Sequence, residues 1–193
     1  MAATPSTMKE LGTPAPDFSL PDSAGKVVSR TDYLGRPLLV VFICNHCPFV
    51  RHIGEKLGEL TAEYSRRGVG VVLINANDIE THPEDAPAKM PEFIREFGIS
   101  VPYLYDESQE VAKAYEAACT PDFFLFDGEH TLVYRGQFDD SRPGNGVPIT
   151  GADLSAAVDA LLEGNDPLTD QKPSMGCNIK WKPGNEPAFF RIG

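Results

Sequence analysis

The segment from Leu38 to Asn75 limits the possible folds more than any other part of the chain. Leu38-Leu39-Val40-Val41-Phe42-Ile43 is an unbroken β-favouring run, suited to a strand buried on both faces. From about Cys47 or Pro48 onward, Phe49, Ile53, Leu57, Leu60 and Tyr64 recur at helical spacing and line one face. Pro48 fits the first turn, where no amide hydrogen is needed, and Gly68 ends the helix. Val69 to Asn75 reads as a second buried strand. A strand–helix–strand unit of this kind lays two strands parallel with the helix across them, which points to an α/β architecture.

The flanking segments add smaller elements. Asp17 to Leu20 and Val27 to Arg30 read as two short strands around the turn-rich Pro21 to Lys26. Glu84 to Phe97 reads as a helix with Pro91 disturbing its middle, Pro102 to Tyr105 as a short strand, and Glu107 to Ala117 as another helix. Phe123 to Phe126 and Leu132 to Arg135 form a hairpin around Asp127-Gly128. Asp153 to Leu162 is a closing helix with Leu154, Val158, Leu161 and Leu162 facing in and Gly164 as its stop. From Asn165 onward periodicity vanishes. Yet Ile179, Trp181, Phe189 and Phe190 lie in that tail, and a disordered tail should lack such groups. The tail is therefore expected to dock as ordered irregular structure.

Composition excludes several classes. With 193 residues the chain suits one domain: a core over about 38–162, an N-terminal hairpin over about 15–32 and the tail 165–193. Its 17 Lys and Arg against 28 Asp and Glu leave a formal charge of -11, without the basic footprint that nucleic-acid binding needs. The first dozen residues hold no apolar signal core, and no apolar run is long enough to span a membrane. A cytoplasmic protein is expected, in which Cys44, Cys47, Cys119 and Cys177 are not structural staples.

The chemistry centres on Cys44-Asn45-His46-Cys47, between the buried strand and the helix. Two thiols at this spacing can close a small disulfide with little backbone movement. The partial positive charge of a helix N-terminus favours a thiolate, expected at Cys44 as the more exposed, attacking thiol, with Cys47 buried and resolving. His46, beside Cys47, is expected to stabilise the Cys44 thiolate further; its alternative is a surface histidine without a role. His52, His82 and His130 look like ordinary surface or turn residues. Structural zinc would want a second CxxC or a His pair, which Cys119 and Cys177 do not supply, so neither a metal nor a cofactor is expected. Cys119-Thr120-Pro121-Asp122 opens a strand, where proline is tolerated and a cis bond is one option beside the ordinary trans one.

These features together resemble the thioredoxin fold from about Leu38 to Leu162. Ala15-Pro16-Asp17-Phe18-Ser19-Leu20 resembles the opening of the peroxiredoxin and thiol-reductase branch, the AhpC/TSA-type redoxins, which add an N-terminal hairpin and a helix insertion. Cys44 to Val50, Asn75-Ala76-Asn77-Asp78 and Gly176 to Lys182 resemble the bacterial peroxiredoxin-like thioredoxin family over nearly the whole chain. The resemblance implies a thioredoxin fold with N-terminal β-hairpin extension, helix insertion and irregular tail. It also implies thiol–disulfide exchange, and a cis Thr120-Pro121 loop facing the cysteines, whose backbone edge would receive an extended substrate segment. The partners implied are a protein or small-molecule disulfide and a thiol electron donor.

Departures from the family pattern bear on the rivals. Ile43 stands where thioredoxins usually place Trp, and Leu38 where they carry a buried acid, so Asp78, Asp122 and water are left as proton acceptors for Cys47. A thiol peroxidase of the peroxiredoxin pattern, registered on Cys47, would need Pro, Thr and Arg where Val40, Cys44 and Pro121 stand. Copper carriers of the superfamily space their cysteines one residue wider, and a non-catalytic redox sensor would be separated from an enzyme by turnover. Cys119 and Cys177 are either auxiliary thiols near the pair or small buried residues.

Overall fold

The computed structural model describes residues 3–190. Residues 1, 2 and 191–193, the last within the expected tail, lie outside the described residues. In chain order the strands are β1 (Thr4–Pro5), β2 (Ser19–Pro21), β3 (Val27–Ser29), β4 (Leu38–Phe42), β5 (Gly70–Asn75), β6 (Tyr103–Tyr105), β7 (Cys119–Thr120), β8 (Asp122–Phe126), β9 (Leu132–Tyr134) and β10 (Met175–Asn178). The helices are α1 (Pro48–Arg66), α2 (Met90–Glu96), α3 (Glu110–Tyr115) and α4 (Ala152–Leu162).

Five strands form the central sheet in the order β6-β5-β4-β8-β9. β4 and β5 run parallel, with Val40 opposite Val72, as the strand–helix–strand reading requires. On its other side β4 meets β8 antiparallel, with Val40 opposite Phe124. Strand side chains alternate between faces, so β4 feeds two cores. Leu39, Val41 and Ile43 pack with Leu57 and Tyr64 of α1 and with Val158 of α4. Leu38, Val40 and Phe42 pack with Ala112 and Tyr115 of α3, with Phe18 and Leu20 of the N-terminal segment, and with Ile179 and Trp181 of the tail. Each such buried side chain contributes roughly 1.5–3 kcal/mol, and all five residues of β4 are buried. Among the described residues no helix is long and apolar enough to cross a membrane.

Several boundaries differ from expectation. Glu84 to Phe97 is not one helix: short 3-10 turns at Pro83–Asp85 and Pro87–Lys89 precede α2. Pro87 holds Ala86 extended, at φ -57° and ψ 145°, and this blocks a continuous helix. Pro91 lies in the first turn of α2 rather than in the middle of a helix. Glu107 to Ala117 shortens to α3, bounded by left-handed Gln109 and Glu116. Leu162 points to solvent, 36% exposed.

The tail docks, but as more than irregular structure. β10 lies between β1 and β7 in a small three-stranded sheet. Gln109 fastens the residues after it: its side-chain amide donates to the carbonyls of Ala76 (2.7 Å) and Lys180 (2.9 Å) and accepts from the Lys182 amide (2.9 Å). Asn77 Oδ1 accepts from the Lys180 amide at 2.9 Å, so the two most family-like segments outside the cysteines meet each other.

Candidate active site

β4 runs out at Phe42, and the next residue keeps the sheet pattern, Ile43 N donating to Ile74 O at 2.9 Å. The chain then turns through Cys44-Asn45-His46 and enters α1. Cys47, not Cys44, is the N-cap of that helix, with Pro48 following it. Cys44 therefore stands a turn before the helix terminus, and the dipole acts first on Cys47. Both cysteines are fully buried, at 0% exposure, which corrects the expectation of an exposed Cys44.

The sulfurs meet the Thr120-Pro121 loop, and that peptide bond is cis. Cys44 Sγ lies 3.6 Å from Thr120 Oγ1 and 3.8 Å from His46 Nδ1. Cys47 Sγ lies 3.2 Å from the Thr120 carbonyl oxygen, to which its S–H donates when protonated. The first proton lost from the pair comes off Cys47, which is held low by hydrogen bonds from the Cys177 thiol and then the Cys44 thiol. The Val50 amide assists without making a full cap hydrogen bond. Cys44 is pushed up, first by burial, then by its hydrogen bond to Cys47 and the nearby Asp85 carboxylate. The more acidic thiol is thus Cys47, the reverse of the sequence expectation, because the helix N-terminus acts first on its N-cap Cys47 and Cys177 approaches from the tail.

His46 does belong to the site, through a partner that the sequence reading missed. Asp85 is fully buried, and its Oδ2 accepts from His46 Nδ1 at 2.6 Å and from Asn77 Nδ2 at 2.8 Å. Its Oδ1 accepts from the amides of Asn45 (2.8 Å) and His46 (3.1 Å). The hydrogen bond to Asp85 raises the pKa of His46. Burial acts to raise Asp85, but the hydrogen bonds from His46 and Asn77 prevail and hold it below its ordinary value. Tyr103 OH donates to Asn45 Oδ1 at 2.9 Å, so the CxxC turn is held from both sides. His82 is not an idle surface residue, because its ring stacks on His46 at 5.3 Å. His130 is buried between Arg30 and the carbonyls of Tyr33 and Arg36, while His52 lines a small cavity with Phe49, Pro121 and Ser174.

Cys44 Sγ, His46 Nδ1 and a carboxylate oxygen of Asp85 lie within 4.8 Å of one another, the one group of possible metal ligands among the described residues. The Asp85 oxygens are already occupied by the donors just named. On the outer side of His46 opens a cleft of about 450 Å³, lined also by Asn45, Arg51, Glu84, Lys89 and Phe93.

The two remaining cysteines come to the same loop from different sides. Cys119 Sγ donates to Pro121 O at 3.5 Å and is buried. Cys177 sits on β10 directly opposite Thr120. The β7 edge expected to receive a substrate segment is therefore already paired with the tail. Asp122 is fully buried and pushed up to about 7 by that burial; its Oδ2 accepts from the Ala118 amide at 3.1 Å, while its Oδ1 has no hydrogen-bond partner among the described residues. Asp78 is engaged by the Glu80 amide and the Thr81 hydroxyl. Neither acid hydrogen-bonds to Cys47.

A model of the AhpC/TSA family matches residues 11–135, about two thirds of the chain. The chain belongs to the AhpC/TSA family. Among solved structures, this family member is similar to an uncharacterized conserved protein from Geobacillus kaustophilus, with TM-score 0.92 and 53% identity over 95% of this chain and 98% of that one. A putative thiol:disulfide interchange protein DsbE from Chlorobium tepidum shares the fold at TM-score 0.62 and 23% identity, covering 79% of this chain and 98% of that one. Among curated proteins, thiol-disulfide oxidoreductase ResA of Geobacillus thermodenitrificans is 28% identical over 124 residues, 64% of this chain and 67% of the relative. The architecture of this AhpC/TSA protein is a thioredoxin fold with an N-terminal hairpin.

Proposed function

We infer that this protein is a thiol–disulfide oxidoreductase that exchanges a dithiol for a disulfide at Cys44 and Cys47. The observation that carries the reading is the pair of buried thiols at the β4–α1 junction, both against Thr120 of the cis Thr120-Pro121 loop. The similarity to ResA supports it.

Cys44 is the sulfur next to His46, a residue that lines the cleft, and we assign it the attack on the substrate. Cys44 attacks one sulfur of the substrate disulfide as its proton passes to the Cys47 thiolate that already accepts it. The substrate S–S bond breaks, and the leaving thiolate takes a proton from solvent. Cys47 then loses its proton and attacks Cys44; the Cys44–Cys47 bond forms, and the second substrate thiol leaves protonated. Two electrons have moved to the substrate, and a thiol donor returns the pair to the dithiol. Protein disulfides are the substrate class we assign, with small-molecule disulfides as the alternative. The peroxidase reading lacks support, since Val40, Cys44 and Pro121 stand where the peroxide cradle needs Pro, Thr and Arg.

The reading is tested with Cys47→Ser and a model disulfide peptide. A stable mixed disulfide on Cys44 is expected, read by mass spectrometry without reduction. An adduct confined to another cysteine, or none, would overturn it.

A further inference from the structure

β10 occupies the position beside the cysteines that an added substrate strand would take. It runs antiparallel to β7 with Cys177 opposite Thr120, and β1 covers its other edge with Thr4 opposite Gly176. The approach to β7 is close enough to require glycine: a Cβ on Gly176 would stand 1.9 Å from the Thr120 carbonyl oxygen. Ser174 Oγ donates to Pro121 O at 2.6 Å and pins the strand's approach. Cys177, 3% exposed, is thereby fixed opposite Thr120 in the same apolar cluster as Cys44 and Cys47.

We propose that Cys177 is a third redox cysteine, an internal thiol that takes over the disulfide from Cys44 by forming a Cys47–Cys177 bond. The proposal rests on the reading of Cys44 and Cys47 as an exchanging pair. Starting from the Cys44–Cys47 disulfide, Cys177 gives up its proton and attacks Cys47 Sγ. The Cys47–Cys177 bond forms, the Cys44–Cys47 bond breaks, and Cys44 leaves as a thiolate that takes up a proton. No electrons enter or leave; the disulfide moves inward and Cys44 returns to its reduced form beside the cleft. The donor thiol then meets the stored disulfide, and until it does the tail strand is tied covalently to the start of α1.

The charge balance favours this order of events. In the reduced protein Cys177 is held as a thiol, first by its hydrogen bond to Cys47, then by burial, then by the Cys47 charge. Oxidation of Cys47 removes the first and third of these causes and leaves the Lys180 ammonium, which acts in the opposite direction. Cys119 donates to Pro121 O instead, so it is not the partner assigned.

Trypsin separates the candidates: Cys44 and Cys47 share residues 31–51, Cys119 lies in 114–135, and Cys177 lies in the peptide ending at Lys180. In Cys44→Ser oxidised with diamide, the main product is expected to link residues 31–51 to the Cys177 peptide, and Cys44→Ala should give the same link. In the wild-type chain oxidised by a disulfide, acid-quenched and alkylated in denaturant, label at Cys44 should fall about ten-fold when Cys177 is replaced by Ser. A link from residues 31–51 to the Cys119 peptide, no link, or unchanged Cys44 label would overturn the proposal. If Cys177→Ser forms no Cys44–Cys47 disulfide, the exchange reading itself falls; if it does and the Cys177 link is absent from Cys44→Ser, only this inference falls.

Discussion

Replacing Asp85 by Asn removes one charge from the buried side of the CxxC turn and leaves the shape nearly unchanged. The Asn carbonyl can still accept from the amides of Asn45 and His46, which Asp85 Oδ1 serves at 2.8 and 3.1 Å. Its NH2 group then faces His46 Nδ1 and Asn77 Nδ2, two donors that Asp85 Oδ2 accepts at 2.6 and 2.8 Å. One charge-assisted hydrogen bond is worth about 1.5–3 kcal/mol and one neutral bond about 1. Because His46 reaches solvent, with 17% of its side chain exposed, the ionic part is discounted for screening, and a loss of about 3 kcal/mol is expected. For a domain of this size that lowers Tm by roughly 6–12 °C. The raised pKa of His46 makes its contribution complete below the ordinary value of 6.5 and lost as pH rises through the raised one. The lowered pKa of Asp85 makes its contribution present above the ordinary value of 3.8 and lost as pH falls through the lowered one. The gap between wild type and variant should therefore be widest between about pH 4 and 6.5 and narrow above the His46 pKa. Thermal melts at pH 5.5 and 8.5, with an NMR titration of the His46 ring, measure both. An unshifted His46 in the wild type, or a gap independent of pH, would refute the argument.

Asp122→Asn tests the second buried acid. Its folded pKa is raised to about 7, so ionisation destabilises the wild-type fold increasingly as pH rises from about 4 to about 7. The variant should gain stability relative to wild type over that range in denaturant titrations; a constant difference would show that Asp122 stays ionised in the fold. Hydrogen peroxide should oxidise the reduced protein slowly compared with a disulfide substrate, measured by stopped-flow thiol consumption, because the cradle positions are Val40, Cys44 and Pro121. Fast, saturable peroxide consumption would reinstate the peroxidase reading.

The central parallel unit and the pair within it were legible because they follow local rules. An unbroken apolar run became β4, and helical spacing in Phe49 to Tyr64 became the inward face of α1. Asp85 was not legible, since it meets His46 from 39 residues away in sequence and sits in a proline-broken stretch whose pattern mimics a helix. β10 was hidden for a different reason: its four residues pair by backbone alone and carry no alternating apolar pattern. These two long-range partners act on the thiols in opposite directions, Asp85 raising Cys44 and Cys177 lowering Cys47, so a local reading of the CxxC turn ranked the thiols in the wrong order. The Thr120-Pro121 geometry came from resemblance, not from its residues alone.

The most direct test of the account is the steady-state reduction of a disulfide-bonded peptide by dithiothreitol, with wild type compared to Cys44→Ser and Cys47→Ser. Wild type should accelerate the exchange and each variant should lose that acceleration by about 100-fold or more, since both sulfurs form the intermediate disulfide. Equal rates with and without wild-type protein, or a variant as active as wild type, would contradict it.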